Sequence, residues 1–470
     1  MSRKRKHVNT IIENLEIISA GAEGKAIARH NERVVFVEGA VPGDIVDAKV
    51  TKQKSKFFEA KTIAIHKKGA SRIEPFCSHF GICGGCKWQH MDYAEQLKWK
   101  EQQVKDSFTR IGKLEWKEFR SILGSAATTY YRNKLEFTFS NQQWLTEEQL
   151  KDPEINMHVP TLGFHAPGRF DKVLQINHCY LQPEPSNQIR NFIQQRSIEL
   201  GLLFYNLREK TGDVRNLMLR NTLSGEWMVL LIFGSELNDA HKKLLGAVKQ
   251  EFSQIKSLLY TVNTKLNDTI YDLDIHTFAG SNEIIETLDG LKYKISAKSF
   301  FQTNPAQTLN LYKTAIELAG LTGKENVYDL YTGTGTIALF AARHAKKVVG
   351  IESVPQAIED AKMNAETNGI SNASFFAGDM KDMLTEDFIK THGQPDVIIT
   401  DPPRAGMHPS VVEILKRAGA QTIVYVSCNP ATQARDLELL KDTYTLDVVQ
   451  PVDMFPHTHH VECVVRLRKI

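Results

Sequence analysis

The last third of the chain alternates between short β-branched apolar runs and helical segments, and this alternation constrains the fold more than any other feature. Strand-like runs are predicted at 327–330, 348–352, 395–400 and 422–426. The run 422–426 in particular is too short and too rich in β-branched residues for a helix. Helical segments at 337–344 and 354–368 separate the first runs. This order predicts an α/β domain with a parallel sheet, in which ligands bind where the strands end.

A glycine loop follows the first of these strands. It contains Gly333 and Gly335, and Glu352 ends the second strand. Such glycines let a ligand approach the backbone, and an acid about 20 residues further on can accept both ribose hydroxyls. Ala338 stands where a dinucleotide site has its third glycine, so the loop favours S-adenosylmethionine over NAD. Asp379, after the third strand, is placed where enzymes of this kind often hold the adenine amine.

The loop after the fourth strand reads Asp401-Pro402-Pro403-Arg404. Asp401 puts a carboxylate over the methyl-donor pocket. Amino-methyltransferases have an aromatic residue at the position of Arg404, and RNA cytosine-C5 methyltransferases carry a cysteine in this loop. Neither is present, so the remaining candidate nucleophile is Cys428, at the end of the fifth strand. A cysteine at a strand end can also be an inert core residue.

A cysteine in this place suits methylation of uracil carbon 5. That carbon becomes nucleophilic when a thiolate adds to carbon 6, and a base must later remove the proton from carbon 5. Glu462 lies among apolar residues near the chain end, where its pKa would be raised. The alternative for Glu462 is an ordinary carboxylate on an edge strand. The neighbouring Cys463 is expected to be a small core residue.

A second group of cysteines indicates a metal centre. The chain has six cysteines, and without a signal peptide we expect metal binding or catalysis in place of disulfides. Three share a glycine-rich loop and a fourth follows later: Cys77, Cys83, Cys86 and Cys179. The residues alone leave zinc open, held by all four thiolates or by three with His79 or His178.

The N-terminal 68 residues predict a small β-barrel. Strand-like runs at 34–37 and 45–50 flank a turn that contains Pro42 and Gly43. Small barrels often bind oligonucleotides, and basic residues cluster at 3–6 and 52–72. The net charge of +3 is too small to identify a polyanionic partner by itself. A protein-binding barrel and a merely solvated basic surface are the alternatives.

The middle of the chain, from about residue 120 to 300, predicts mixed strands and helices. The run 131–139 alternates as a strand. No apolar run of about 18 residues is present to span a membrane, and the basic N-terminus lacks the apolar region of a secretory signal. A cytoplasmic location is therefore expected, and nothing indicates an obligate protein partner.

The motifs together resemble the RNA uracil-C5 methyltransferase family, whose members make 5-methyluridine in tRNA and ribosomal RNA. The resemblance is carried by Ser427-Cys428-Asn429-Pro430, by Asp401-Pro402-Pro403-Arg404, by His460-Val461-Glu462 and by the Phe-x-Gln-x-Asn segment 300–304. The first 68 residues resemble a TRAM domain, an RNA-binding module. The cysteine spacing is similar to the [4Fe–4S] site of this family.

The resemblance implies a role for each candidate residue. Cys428 is the nucleophile, Glu462 is the base, and Phe300 packs against the target uracil. The methyl-donor contacts are Gln302, Tyr331, Thr336, Glu352, Asp379 and Asp401. The ligands of a [4Fe–4S] cluster, in preference to zinc, are Cys77, Cys83, Cys86 and Cys179.

The resemblance also implies an architecture and a substrate. We expect a TRAM or OB-like barrel at 1–68, a mixed α+β central domain with the iron–sulfur centre at 69–300, and a Rossmann-like class I methyltransferase domain at 301–470. The barrel together with the cysteine cluster points to 23S rRNA as the RNA partner. The alternatives are a tRNA uracil-C5 methyltransferase and a non-catalytic RNA-binding iron–sulfur protein, although the latter would have lost Cys428 or Glu462.

Overall fold

A closed five-stranded barrel forms the N-terminal part of the chain. The computed structural model describes residues 10–146 and 149–470, so the basic cluster at 3–6 lies outside the described residues. The barrel strands are β1 (Ile11–Ala20), β2 (Ala26–His30), β3 (Arg33–Glu38), β4 (Ile45–Gln53) and β5 (Phe57–Lys67). They close in the order β1-β2-β3-β5-β4. Alternate residues such as Val35 and Val37 are fully buried inside the barrel, as the period-two pattern predicts.

Gly24 attaches the barrel to Lys87 and Trp88, which directly follow the glycine-rich loop that carries Cys77, Cys83 and Cys86 (the cysteine loop, residues 77–86). The Trp88 indole Nε1 donates a hydrogen bond to the Gly24 carbonyl at 3.2 Å. Gly24 has a φ of 76°, and a Cβ added there would lie 2.8 Å from the Cβ of Lys87. Only glycine combines this backbone conformation with so close an approach.

The central region is a mixed α+β part of the chain. Its helices are α1 (Tyr93–Arg110), α2 (Ser186–Glu199) and α3 (Asp239–Glu251). Its strands are β6 (Glu118–Phe119), β7 (Lys134–Ser140), β8 (Thr161–His165), β9 (Val173–Gln175), β10 (Val214–Asn221), β11 (Trp227–Phe233), β12 (Ile255–Val262), β13 (His276–Gly280), β14 (Glu283–Leu288) and β15 (Leu291–Ser296). Strands β7 to β13 form a seven-stranded sheet in the order β13-β12-β11-β10-β7-β8-β9, β14 pairs with β15 in a separate two-stranded sheet, and β6 joins the C-terminal sheet. The strand predicted from residue 131 begins only at Lys134, because the backbone amides of Arg132 and Asn133 bond to Leu181 and Thr303 instead.

The C-terminal part alternates strands and helices as the sequence predicts. Its strands are β16 (Asn326–Leu330), β17 (Lys347–Glu352), β18 (Ala373–Ala377), β19 (Val397–Thr400), β20 (Thr422–Ser427), β21 (Tyr444–Val452) and β22 (Glu462–Lys469). Its helices are α4 (Pro305–Ala319), α5 (Thr336–Ala342), α6 (Pro355–Thr367), α7 (Met380–Met383), α8 (Glu386–His392), α9 (Pro409–Ala418) and α10 (Pro430–Leu440). None of the helices in the described ranges combines the length and apolar character of a membrane span.

The C-terminal sheet has the order β18-β17-β16-β19-β20-β22-β21-β6. The strands from β18 to β20 are parallel, and β22 runs antiparallel between β20 and β21. The strand order reverses beside β16, and ligands of open α/β sheets bind at such a point. The edge-strand alternative for Glu462 is wrong, because β22 has a neighbour on both sides. The prediction for Cys463 is confirmed, because its side chain is fully buried in the core.

Candidate active site

Two candidate catalytic side chains meet where β20 ends and β22 begins. The two strands are antiparallel, and Ser427 pairs with Cys463. Cys428 follows Ser427 and Glu462 precedes Cys463, and the Glu462 carboxyl is close enough to raise the pKa of the Cys428 thiol. Glu462 is 5% exposed, whereas Cys428 is half-buried and remains accessible. The inserted antiparallel strand thus brings together a thiol and a carboxyl that are 34 positions apart in the chain.

The site favours protonated groups. Burial, reinforced by the carboxyl of Asp401, raises the pKa of Glu462 to about 8. Burial also raises the pKa of Asp401 to about 7, although part of its surface stays accessible. The Cys428 thiol has a pKa raised to about 11 by burial and then by Glu462 and Asp401, while the Arg404 guanidinium acts in the opposite direction. The raised pKa predicted for Glu462 is confirmed.

Asp401 and Tyr331 lie beside each other on neighbouring parallel strands. The Asp401 amide donates to the carbonyl of Leu330, the residue before Tyr331, at 3.3 Å. Tyr331 has a φ of 62°, in the left-handed region that a bulky residue seldom occupies. Backbone strain of this kind costs about 1–3 kcal/mol and is found most often at functional sites.

The glycine loop wraps against Glu352. The Gly333 amide donates to Oε2 of Glu352 at 3.2 Å, and the Val354 amide donates to Oε1 at 2.9 Å. Gly335 has a φ of 80°, and a Cβ there would lie 3.0 Å from the Cβ of Ala361. The loop and the acid that should bind a ribose are therefore held as one unit, and Gly335 allows the close packing.

Of the remaining predicted methyl-donor residues, Thr336 and Asp379 adjoin the same loop, whereas Gln302 contacts the central region. Thr336 begins α5, and its hydroxyl is 3.0 Å from the hydroxyl of Tyr312. Asp379 is exposed and caps α7, next to Gly378, whose amide donates to the Glu352 carbonyl at 2.8 Å. Gln302 is half-buried, and its carbonyl accepts a hydrogen bond from Asn133 Nδ2 at 3.2 Å.

Sequence reasoning missed a buried acid beneath the glycine loop. Asp329 is 1% exposed, and its carboxyl accepts a hydrogen bond from the Thr332 hydroxyl at 2.5 Å. Burial raises the pKa of Asp329 to about 7, because the Thr332 hydrogen bond offsets only part of the desolvation. An acid inside the apolar run 327–330 was the available signal, since such residues are rarely buried without a role.

The four predicted metal-binding cysteines line one cavity of about 230 Å³. The Gly85 amide donates to the sulfur of Cys83 at 3.5 Å, and the Cys179 amide is fixed by Asn187 Oδ1 at 2.8 Å. Burial, with some repulsion from neighbouring thiols, raises the pKa of Cys86 to about 12 and that of Cys179 to about 11. Among the described residues, no three His, Cys, Asp or Glu side chains are grouped closely enough to hold a metal ion.

The loop that leads into Glu462, residues 453–461, is tied to helix α1. Lys100 Nζ lies 2.6 Å from Asp453 Oδ1, and both side chains are fully buried. Gln96 Oε1 accepts a hydrogen bond from the His457 amide at 2.9 Å. The Lys87 amide also reaches this loop, donating to the His457 carbonyl at 2.8 Å. The loop before the candidate base is thus anchored to α1 and to the segment after the cysteine loop.

A Rossmann-like sheet with a glycine loop at its switch point, preceded by a closed barrel, is the architecture expected of a methyltransferase with an appended nucleic-acid-binding domain. The family model described as tRNA (Uracil-5-)-methyltransferase matches residues 185–470, and the TRAM domain model matches residues 9–63. The chain belongs to the RNA uracil-C5 methyltransferase family and is an RNA (uracil-5-)-methyltransferase that uses S-adenosylmethionine. The predicted family, fold class and enzyme class are confirmed.

Relatives are similar over nearly the whole chain. An uncharacterized RNA methyltransferase of Bacteroides thetaiotaomicron is 55% identical over 95% of this chain and 99% of its own length. An uncharacterized RNA methyltransferase of Porphyromonas gingivalis is 52% identical over 96% of this chain and 99% of its own length. The crystal structure of Pyrococcus abyssi tRNA (uracil-54, C5)-methyltransferase in complex with S-adenosyl-L-homocysteine is 27% identical, covers 96% of this chain and 100% of that chain, and has a TM-score of 0.76.

Proposed function

We propose that this enzyme methylates carbon 5 of a specific uridine in 23S rRNA, with Cys428 as nucleophile and Glu462 as base. The observation that carries the proposal is the β20–β22 pairing of Ser427 with Cys463, because Cys428 and Glu462 are the next residues on the two strands and the Glu462 carboxyl acts on the pKa of the Cys428 thiol. Asp401 and the glycine loop lie at the ends of the adjoining strands. A thiol, a base and a methyl-donor pocket therefore converge at one edge of the sheet.

The reaction follows from these positions. The Cys428 thiol, which is partly accessible, releases its proton to solvent, and the thiolate adds to carbon 6 of the uracil while the electron pair moves to carbon 5. Carbon 5 then attacks the sulfonium methyl, and the donor leaves as S-adenosylhomocysteine. Glu462 removes the proton from carbon 5, after which the bond between sulfur and carbon 6 breaks and frees the cysteine. A carboxylate with a pKa of about 8 is a stronger base than an ordinary glutamate.

The remaining contacts assign the methyl-donor pocket. We propose that Glu352 binds the ribose hydroxyls, because the glycine loop is already held against it. Gln302, Tyr331, Thr336, Asp379 and Asp401 complete the pocket. Phe300, which is 68% exposed, is free to pack against the flipped uracil.

We propose that Cys77, Cys83, Cys86 and Cys179 hold a [4Fe–4S] cluster, with zinc as the alternative. Four thiols line one cavity and are the donor set of such a cluster, although in this structure they are not drawn close enough together to ligate a metal, so binding would require them to converge. A glycine amide that donates to a cysteine sulfur is typical of the surroundings of such a cluster. The centre would cross-link the loop 77–86 to the central region. Iron and sulfide analysis of anaerobically purified protein, with its visible absorbance, tests this. Zinc without iron would overturn it.

The RNA substrate has two candidates. The TRAM barrel together with the cysteine group supports 23S rRNA, whereas the Pyrococcus abyssi relative is named for position 54 of tRNA. Incubating purified 23S rRNA and tRNA with a labelled methyl donor, followed by nucleoside analysis, separates them. Absence of 5-methyluridine from 23S rRNA would overturn the first candidate.

A Cys428→Ala variant tests the mechanism in the same assay. We expect it to make no 5-methyluridine, while Cys463→Ala, which changes a cysteine one strand away, keeps activity. An active Cys428→Ala enzyme would overturn the assignment of the nucleophile.

We further propose that the domains extend over 1–68, 69–300 and 301–470. A cytoplasmic location, where an RNA substrate is available, also remains a proposal.

A further inference from the structure

Four aromatic side chains form a continuous surface beside the cysteine cavity: Phe76, Tyr130, His178 and Tyr180. We call this group the aromatic platform. Tyr180 is central, with ring centroids 5.1 Å from Phe76, 5.9 Å from Tyr130 and 4.4 Å from His178. The Tyr130 hydroxyl lies 3.1 Å from Nε2 of His178. The rings thus brace one another in tilted and edge-to-face contacts, a stable arrangement for aromatic groups.

The aromatic platform is not closed over by protein. Phe76 is 40% exposed and Tyr130 is 39% exposed, and the His178 side chain is 41% exposed. Tyr130 has a φ of 55°, which its amide holds by donating to the Tyr180 carbonyl at 2.6 Å. A bulky residue in this conformation is strained, and the hydrogen bond to Tyr180 offsets part of that cost.

The aromatic platform lies next to the catalytic region along two routes. Residues 130–133 connect it to the methyl-donor segment, where the Asn133 amide donates to the Thr303 carbonyl at 2.9 Å. Tyr130 and Asn133 are three residues apart, so their Cα atoms are separated by at most about 11 Å. On the other side, the Phe76 ring centroid is 5.2 Å from that of His457, in the loop that leads into Glu462.

We propose that the aromatic platform stacks an unpaired base of the substrate RNA next to the target uridine. An enzyme that acts on a base inside a folded RNA must take that base out of its stack, which leaves its neighbours without stacking partners. Exposed aromatic rings replace the lost stacking and tolerate any base, because every base has a π face. The proposal rests on the RNA substrate of the family, and not on which RNA is methylated.

Steady-state kinetics on the methylated RNA provides the first test. We expect the Phe76→Leu/Tyr180→Leu variant to raise the KM for RNA by about 5- to 150-fold, the range that corresponds to the loss of one stacked base. Phe76→Trp, which keeps an aromatic ring, should retain the KM of the parent enzyme. Tyr271→Leu removes an aromatic residue that is 71% exposed elsewhere in the central region and serves as the control.

The kcat at saturating RNA and the affinity for the methyl donor should not change in these variants. Metal content is measured in parallel, because Phe76 and Tyr180 adjoin Cys77 and Cys179. An unchanged KM in the double variant, or a fall in kcat alone, would overturn the proposal.

Photocrosslinking of the unmodified holoenzyme is a second test that needs no variant and no methylation. A short oligouridylate that carries 5-iodouridine should crosslink to Tyr130, Tyr180 or Phe76, as mapped by mass spectrometry. We also expect that an abasic residue next to the crosslinked nucleotide weakens binding of the oligonucleotide to the enzyme, because the stacked base is then missing. Crosslinks confined to the barrel or to other surfaces would refute the aromatic platform as an RNA site, whichever RNA proves to be the substrate.

Discussion

Replacing Glu462 with glutamine is expected to stabilise the protein at alkaline pH while it abolishes catalysis. Glu462 is almost completely buried, and its carboxyl has a pKa raised from 4.5 to about 8. Its ionised form is therefore disfavoured in the folded protein. Glutamine keeps the size of the side chain and cannot ionise, so the variant isolates this electrostatic effect.

The magnitude follows from the two pKa values. Below pH 4.5 the carboxyl is protonated in both the folded and the unfolded chain, so it contributes no pH-dependent penalty. Between 4.5 and about 8 only the unfolded chain ionises, and stability falls by about 1.4 kcal/mol per pH unit. Above that range the penalty stays at its full value of about 5 kcal/mol. Between pH 5 and pH 9 the variant should therefore gain about 4 kcal/mol on the parent protein.

Thermal unfolding at a series of pH values measures this effect. About 2–4 °C of Tm is expected per kcal/mol for a domain of this size, so the difference in Tm between Glu462→Gln and the parent should grow by roughly 8–16 °C from pH 5 to pH 9. The exposed Glu366, replaced by glutamine, is the matched control in the same part of the chain and should show no such growth. A Tm difference for Glu462→Gln that is constant with pH would refute the burial argument.

Three further substitutions test other contacts of the site. Lys100→Met breaks the buried pair with Asp453 and should destabilise the protein by about 3–5 kcal/mol in urea unfolding, because it leaves a buried carboxylate without its cation; an unchanged midpoint would contradict this. Gly335→Ala should raise the KM for S-adenosylmethionine with little effect on the KM for RNA, because the φ of 80° and the Ala361 contact force the loop to shift; equal KM values in both proteins would contradict it. Arg404→Gln should raise the pKa of Cys428 further, so alkylation of this thiol by iodoacetamide should require a higher pH than in the parent or in Arg417→Gln; identical pH profiles would argue against a role for the guanidinium.

The parallel part of the fold could be predicted from local sequence. Strands β17, β19 and β20 are rich in β-branched apolar residues, and buried parallel strands typically have that composition. The glycine loop directly follows β16, and Cys428 directly follows β20. Their position at the carboxyl edge of the sheet can therefore be predicted from the neighbouring sequence. The position of β22 within the sheet, by contrast, cannot be predicted from local sequence. Its apolar run is equally compatible with an edge or an interior position, and only pairing with both β20 and β21 decides it.

Helix α1 shows a second limit of local reasoning. A polar helix is expected to bury its apolar stripe, yet α1 buries Gln96 and Lys100 together with Val104 and Phe108. Burying an amine and an amide is costly unless each finds a partner. Those partners, Asp453 and the His457 backbone, lie more than 350 residues away in the chain. The sequence pattern of the helix therefore cannot predict that these polar residues are buried, because the groups that bond to them lie in a distant loop.

The same loop fixes the position of the buried Glu462 in this fold. Glu462 is the first residue of β22, and strand ends are less constrained than strand centres. The residues before it are fixed by the fully buried Lys100–Asp453 pair, by Gln96 and by the Tyr131 hydroxyl, which donates to the Pro456 carbonyl at 3.0 Å. These contacts come from helix α1 and from the central region, outside the methyltransferase sheet. The position of Glu462 therefore depends on docking of the central region onto the methyltransferase sheet.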